Sequence, residues 1–250
     1  MGNLIKETPY SEVTATLETL DRHGVNRDDL TRIRSSHRFA SGLAQFIRYR
    51  EQDIKSVFDR ARKIMGKNFF GVEEAMKCFG INPVNQVNAV PMIPFSEAVL
   101  EESKHTHVLT AVFPLSILEM RGKQGDTRLF RDPSWYNQEV FAKERGEANW
   151  HLVRKTSVEN SLSKTWGEQQ ALLSKDEETP SARVMTYVII GHYLATGERL
   201  FKSVWVRTSS LCSVAPRVTL GDFGRSGLSF GHGYDISRYA YVGLASARKF

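Results

Sequence analysis

Apolar positions recur with helical period over the first hundred residues, and the pattern changes afterwards. Thr8 and Pro9 make an N-cap and N1 pair, and Val13, Leu17 and Leu20 then form one stripe that stops at Gly24. Asn26, with Asp29 three residues on, opens a second helix carrying Leu30 and Ile33. Ser36 caps a third, with Phe39, Leu43, Phe46 and Ile47 inward. A fourth carries Ile54, Val57, Phe58, Ala61 and Ile64 and ends at Gly66. Residues 71–79 read as a short helix, Gly80-Ile81 as a turn, and Asn82-Pro83 as the cap of another helix with Val84 and Val87. From Thr106 onward strands enter. Residues 107–113 are apolar and β-branched, as in a buried strand, and 116–120 read as a helical turn. A helix is expected over 132–145, with Trp135, Tyr136, Val140 and Phe141 on one side. A strand follows at 149–154, then a helix over 164–173 containing Trp166. The acids Asp176, Glu177 and Glu178 precede Pro180 and are expected to cap a long helix over 181–196, closed by Gly197. Residues 203–207, 217–220 and 239–247 alternate like strands, the last with Tyr241, Gly243, Ala245 and Ala247 on one face. The expectation is an α+β chain with a helical N-terminal module (1–104) and a mixed domain (105–250).

With 250 residues, 41% of them hydrophobic, the chain is long enough to bury about 70–75% of its extended surface without disulfide or metal staples. The longest apolar stretches, 107–118 and 184–195, fall short of the roughly 20 residues a spanning helix needs, so no membrane insertion is expected. The N-terminus lacks the basic and apolar regions of a secretion signal. Met1-Gly2 begins like a myristoylation site, but Lys6 stands where Ser or Thr is wanted. Cys78 and Cys212 make neither a disulfide framework nor a metal cluster. A cytoplasmic location is the default expectation, with export by another route left open.

The net charge of +6 is localised. Residues 21–67 hold twelve Lys/Arg against six Asp/Glu, which accounts for the whole excess. Within the same module, residues 71–87 loosely resemble a helix-turn-helix, so one reading is a weak nucleic-acid contact through residues 22–67. The competing reading, a helical bundle with a solvated basic face, is favoured. The presumed recognition helix offers only Asn85, Gln86 and Asn88, and six acids dilute the basic block.

Isolated chemical candidates are few. His105 and His107 would share a strand face and begin a metal site, but no third ligand is legible beside them. His192 lies in an apolar helix and reads as a satisfied core histidine. Cys212 lacks a legible base to make it a nucleophile, and Cys78 reads as small core filler. The glycine-rich stretch near the C-terminus is no phosphate loop, because it lacks GxxxxGK[ST] and a following helix.

Residues 221–241 have the most unusual composition: five Gly, three Tyr, scattered Asp, Arg, Ser and His, and no Lys, Glu or Gln. Such residues make weak core but adaptable contact surface. A loop-rich edge of a β domain would read much the same way.

Three landmarks tip the balance. Trp150-His151-Leu152, followed by a helix with Trp166, resembles the WRLPT-then-helix segment of the C-type-lectin-like fold. That fold is shared by formylglycine-generating (sulfatase-modifying-factor) enzymes and the variable proteins of diversity-generating retroelements. Val204-Trp205-Val206 and then the run from Arg217 to Phe223 are similar to its "EW … RVLRGGSW" segment. Tyr241 to Lys249 resembles its closing "IGFRLAR" strand. Val153-Arg154 stands where that family has Pro-Thr, and Asp222-Phe223 where it has Gly-Ser-Trp. The chain also resembles uncharacterised multi-copy proteins of candidate-phylum bacteria, which vary most just before a GLASARK-like end.

The resemblance implies a C-type-lectin-like α+β domain and two enzyme activities to weigh. Cys212 lacks the second C-terminal cysteine of the formylglycine-generating oxidases. No His-x-x-x-His-x-Glu set of the superfamily's iron-dependent sulfoxide synthases occurs around His105, His107, His151, His192 or His232. The expectation is therefore a non-enzymatic binding protein, without cofactor or metal, whose partner is an unidentified protein or other macromolecule. Its candidate variable surface at 221–241 would present Arg225, Ser226, Ser229, His232, Tyr234, Asp235, Ser237, Arg238, Tyr239 and Tyr241. Tyr234, Arg238, Tyr239 and Tyr241 would be the energetic anchors, over a scaffold of Leu228, Val242, Leu244 and Ala245.

Overall fold

The computed structural model describes residues 7–36, 40, 43, 51–82, 92–125, 128–131 and 134–249, and of 51–55 the backbone alone. The chain divides into two compact units, Met1–Gln52 and Asp53–Phe250. The boundary thus falls some fifty residues before the one expected at 104. Residues 53–104 turn out to be part of the mixed domain, because their apolar stripes pack onto a sheet and onto its helices.

In the first unit, α1 (Tyr10–Arg22) starts one residue later than expected, with Pro9 at the N-cap. Helix α2 (Arg27–Ser35) begins on the expected capping box. The Asn26 side chain accepts from the Asp28 and Asp29 amides, and Asp29 accepts from the Asn26 amide. Neither helix buries a residue, and Val13 and Leu17 of the apolar stripe are exposed. Of the third expected helix only Ala40 and Leu43 are described, and both are helical. Phe39, Phe46 and Ile47 lie outside the described residues, as does the expected helix around Val84 and Val87.

The second unit opens in α3 (Glu51–Met65) and continues through a 3-10 turn into β1 (Phe69–Phe70), α4 (Val72–Phe79), α5 (Glu97–Ser103) and β2 (His107–Val112). There follow α6 (Ile117–Gln124), α7 (Val140–Lys143), β3 (Asn149–Arg154), α8 (Trp166–Gln170), β4 (Glu177–Glu178) and α9 (Ala182–Thr196). The chain then runs through β5 (Trp205–Leu211), β6 (Arg217–Gly224), β7 (Gly227–Gly233), β8 (Val242–Leu244) and β9 (Ala247–Arg248). The nine helices and nine strands of the described residues make an α+β protein with two mixed sheets, ordered β1-β2-β3-β9-β4 and β7-β6-β5-β8. Among the described residues no helix is long and apolar enough to cross a membrane.

Helix α9 sits between the sheets, touching β1, β2 and β3 of one and β5 and β6 of the other. Every residue from Ala182 to His192 is buried, the state expected of a helix that is apolar all round. The Ser181 hydroxyl caps it by accepting from the Val184 amide, and Gly197, at φ +75°, closes it. The acids before it do another job than the one expected. Glu177-Glu178 form β4 against β9, and the Glu177 carboxylate accepts from the Ser174 amide and the Ser246 hydroxyl. On the other face of the five-stranded sheet, the fully buried Trp150 of β3 lies against Phe58 of α3 and Phe69 of β1, with ring centroids 5.5 and 5.7 Å away.

Two expected elements are broken by tertiary contacts. The helix expected over 132–145 is a 3-10 turn (Ser134–Tyr136) followed by α7. Between them Glu139 turns extended, and its carboxylate accepts from the amide and hydroxyl of Ser213. Tyr136 and Phe141 are buried, whereas Val140 is exposed. The strand expected over 239–247 is two strands in different sheets. β8 runs parallel to β5, and after Ala245-Ser246 the chain crosses to β9, antiparallel to β3 and β4.

Candidate functional site

Strands β6 and β7 form a hairpin with Arg217 opposite Gly233 at one end and Gly224 opposite Gly227 at the other. Within it Gly221, opposite Ser229, stands at φ +149°, where a Cβ would lie 2.1 Å from the Val204 carbonyl oxygen. After Gly233 the chain leaves the sheet, makes a loop over 234–241, and returns as β8. Most hydrogen bonds holding that loop use its main chain. The carbonyl of Tyr234 accepts from Arg207, that of Asp235 from the Trp166 amide, and that of Ser237 again from Arg207. The carbonyls of Tyr239 and Tyr241 accept from the amides of Ser163 and Trp205.

Arg207 is the centre of this arrangement. It lies on β5, fully buried, and its guanidinium spans two segments. One arm, Nη1, donates to the Lys164 carbonyl and to Gln169 Oε1, both at 2.9 Å. The other arm, Nη2, donates to the carbonyls of Ser237 at 2.6 Å and Tyr234 at 3.3 Å. Burial pulls its pKa down, opposed by the charge of Asp235 and the Tyr239 ring beside it. A buried charge is tolerated only when hydrogen-bonded, and here neutral oxygens accept from both Nη groups, while Nε has no partner.

Two further cations brace the loop. Arg217 stacks 3.8 Å over the Trp166 ring and donates through Nε to Asp235 at 3.1 Å. Arg238 donates to Glu168 at 2.7 Å, and Glu168 completes a capping box with Thr165 at the start of α8. Hydrogen bonds from the Thr165 amide and then from Arg238 pull the Glu168 carboxyl down to about 2. Gly233 is required by Tyr239, whose ring carbon lies 2.9 Å from where a Cβ would project.

Outward from this frame point Tyr234 (58% exposed), Ile236 (85%) and Tyr241 (57%), with Arg238 exposed between them. Tyr239 lies against Tyr241 with centroids 5.8 Å apart. Leu162, also exposed, belongs to the neighbouring loop 156–164, which is joined to this one through the Ser163–Tyr239 hydrogen bond. That loop lines an open cavity of about 610 Å³ with Thr156, Ser157, Glu159, Asn160, Leu162 and Lys164.

The ten candidate residues are therefore not one patch. His232, Tyr234, Asp235, Ser237, Arg238, Tyr239 and Tyr241 gather at the Gly233 end of the hairpin, with His232 edge-on to Trp135 at 5.3 Å. Arg225 and Ser226 are exposed at the opposite turn, roughly 20 Å away at 3.3 Å per residue along the seven residues of β7. Ser229 is buried on β7 and faces inward. Of the expected anchors, Tyr234 and Tyr241 are exposed, Arg238 is exposed but paired, and Tyr239 is half-buried. Leu228, Val242, Leu244 and Ala245 are buried, as scaffold should be.

The other candidates are placed apart. His105 is exposed in a turn, so it shares no strand face with His107, which begins β2. Among the described residues no group of three or more His, Cys, Asp or Glu could hold a metal ion. His192 is buried with Nε2 3.4 Å from Glu198. Cys212 is buried, donates to the Pro216 carbonyl, and has its thiol pKa pushed up by burial, the opposite of an activated nucleophile.

Sequence reasoning missed Arg207, the Arg217–Trp166 stack, Ile236 and the 156–164 loop. Only the Arg217–Trp166 pair carries a signal, since both residues lie in the landmark segments. No protein-family model matches the chain, and no curated protein or solved structure matches it.

Proposed function

We propose that this protein is a non-enzymatic binding protein that presents a ligand-contacting surface on residues 232–241, built on a C-type-lectin-like scaffold. One observation carries the reading: loop 234–241 is anchored by its main chain while Tyr234, Ile236 and Tyr241 project into solvent. Rigid aromatic side chains on a fixed frame are what low-entropy recognition uses, and Tyr and Arg dominate interface energetics. The composition of residues 221–241 and the order of the three landmarks support the likeness to diversified variable proteins. The surface so defined is smaller than the composition alone suggested, because Arg225, Ser226 and Ser229 fall outside it. A protein or other macromolecule is the partner class that an exposed, partly aromatic surface suits.

Aligning multiple copies of this protein from one genome tests the proposal. Substitutions are expected to concentrate at His232, Tyr234, Ile236, Arg238 and Tyr241 and to spare Arg207, Gly221 and Gly233. An even spread along the chain overturns it.

A second reading, nucleic-acid contact through the basic helices, is favoured by the exposed Arg27, Arg32 and Arg34 of α2. It expects a salt-sensitive shift of duplex DNA that Arg27→Ala/Arg32→Ala/Arg34→Ala weakens, because each lost phosphate contact reduces the counterions released.

A further inference from the structure

We infer that Arg207 is the positioning residue of loop 234–241, and that it sets the loop's shape through carbonyl oxygens alone, so that the outward side chains contribute little to it. The inference rests on the proposed binding surface but makes a claim of its own: what fixes that surface lies beneath it, on β5, and touches no partner.

Three observations carry it. Arg207 is fully buried, so its side chain is unavailable for binding. All but one of its hydrogen-bond acceptors are main-chain oxygens, those of Lys164, Tyr234 and Ser237, the exception being Gln169 Oε1. The planar fork therefore ties loop 234–241 to the segment entering α8 with donors that no residue identity at 234 or 237 can remove. The loop's remaining ties to its surroundings at 235, 239 and 241 are likewise to carbonyl oxygens, from the amides of Trp166, Ser163 and Trp205. Its closing turns, Ser237 to Tyr234 and Val242 to Tyr239, are main chain to main chain. Asp235 and Arg238 add side-chain pairs: Asp235 is held by the largely buried Arg217, whereas Arg238 pairs with Glu168 and the Ser163 carbonyl at the surface, where such contacts are weak.

Chemistry explains why an arginine suits the place. Carbonyl oxygens carry partial negative charge wherever the chain goes, and a guanidinium presents donors in two directions at once. A lysine would offer a point charge that cannot span Lys164 on one side and Ser237 on the other. The arrangement separates two tasks that binding loops usually mix: holding the backbone, and meeting the ligand. Tyr234, Ile236 and Tyr241 are left to the second.

Site-resolved hydrogen exchange on the full chain tests this without any ligand, so its failure is separable from failure of the binding proposal. Arg207→Met keeps the bulk and removes the donors. The amides of Ser163, Trp166, Ser237 and Val242 are expected to lose protection by about 10–100-fold, as loss of charge-assisted hydrogen bonds from a local opening unit should do. Those of α9 and of the β2–β3 ladder are expected to stay within about threefold. Unchanged protection of the loop overturns the inference, and so does an equal loss everywhere, which would make Arg207 an ordinary core residue. A second variant needs no change to the core: Tyr234→Ser/Ile236→Ser/Tyr241→Ser in one chain. Loop protection is expected to match the parent within about threefold; collapse of that protection overturns the inference, because the side chains would then be holding the loop.

Discussion

Trp150→Ala lowers the unfolding free energy of the second unit by about 3–5 kcal/mol, the range for truncating a buried tryptophan. The indole is fully buried on β3, where Trp150 pairs with Ala111 of β2, and its ring meets Phe58 and Phe69. Alanine removes the ring contacts by which α3 packs on the five-stranded sheet, and β2, paired alongside, keeps the gap from closing. Against a typical total of about 5–15 kcal/mol, such a loss is a large share. Urea denaturation followed by far-UV circular dichroism reads it. A change below about 1 kcal/mol would mean that residues 53–70 do not share this core.

The second large effect is on pH dependence. His107 is 7% exposed, with Nδ1 2.8 Å from the Thr106 hydroxyl and Nε2 without a partner. Burial, reinforced by Arg154 and Arg248, pulls its pKa from 6.5 to about 4, with Glu177 opposing. The unfolded chain therefore takes up a proton that the folded one refuses between pH 6.5 and 4. Stability is full above the unfolded value and falls with pH across that window, by roughly 3 kcal/mol at most, from the pKa difference at about 1.4 kcal/mol per pH unit. His192 acts in the same direction, its pKa lowered by burial and by Lys155 and Lys67 against Glu198. A further loss follows below pH 4.5. Lys155 and Lys67, at 2.7 and 2.8 Å, hold the Glu198 carboxyl down to about 2, and that stabilisation disappears as the carboxyl is protonated. Urea midpoints from pH 7.5 to 4 are expected to decline, and His107→Gln should flatten the decline. An equally steep profile in that variant would show that His107 does not carry it.

The same contrast between side chains and main chain explains what could be read from the sequence. Strand β3 and helix α9 were legible because an apolar run, a Ser cap and a closing Gly are local signals. The assignment of residues 53–104 was not, because a helix with Ala61 and Met65 on one stripe looks alike whether it packs on helices or on a sheet. Two-residue β1 is too short to show a period. The tail's alternation from 239 to 247 could not reveal that its two halves enter different sheets. At the candidate site, the exposure of Tyr234 and Tyr241 follows a legible composition, but the position of Arg207 does not, since its partners in loop 234–241 are carbonyl oxygens that every residue possesses. Ile236 carries no sequence signal of exposure, and only the loop's geometry places it outside.

The crossing at Ala245-Ser246 has a consequence for truncation. β9 lies between β3 and β4, and β4 has no other neighbour in its sheet. β8 completes the other sheet beside β5. Residues 242–248 thus supply the missing neighbour of β5 in one sheet and of β3 and β4 in the other. A chain cut before Val242 would leave both sheets unfinished at once, and the borders left open are the ones most prone to pairing with another molecule.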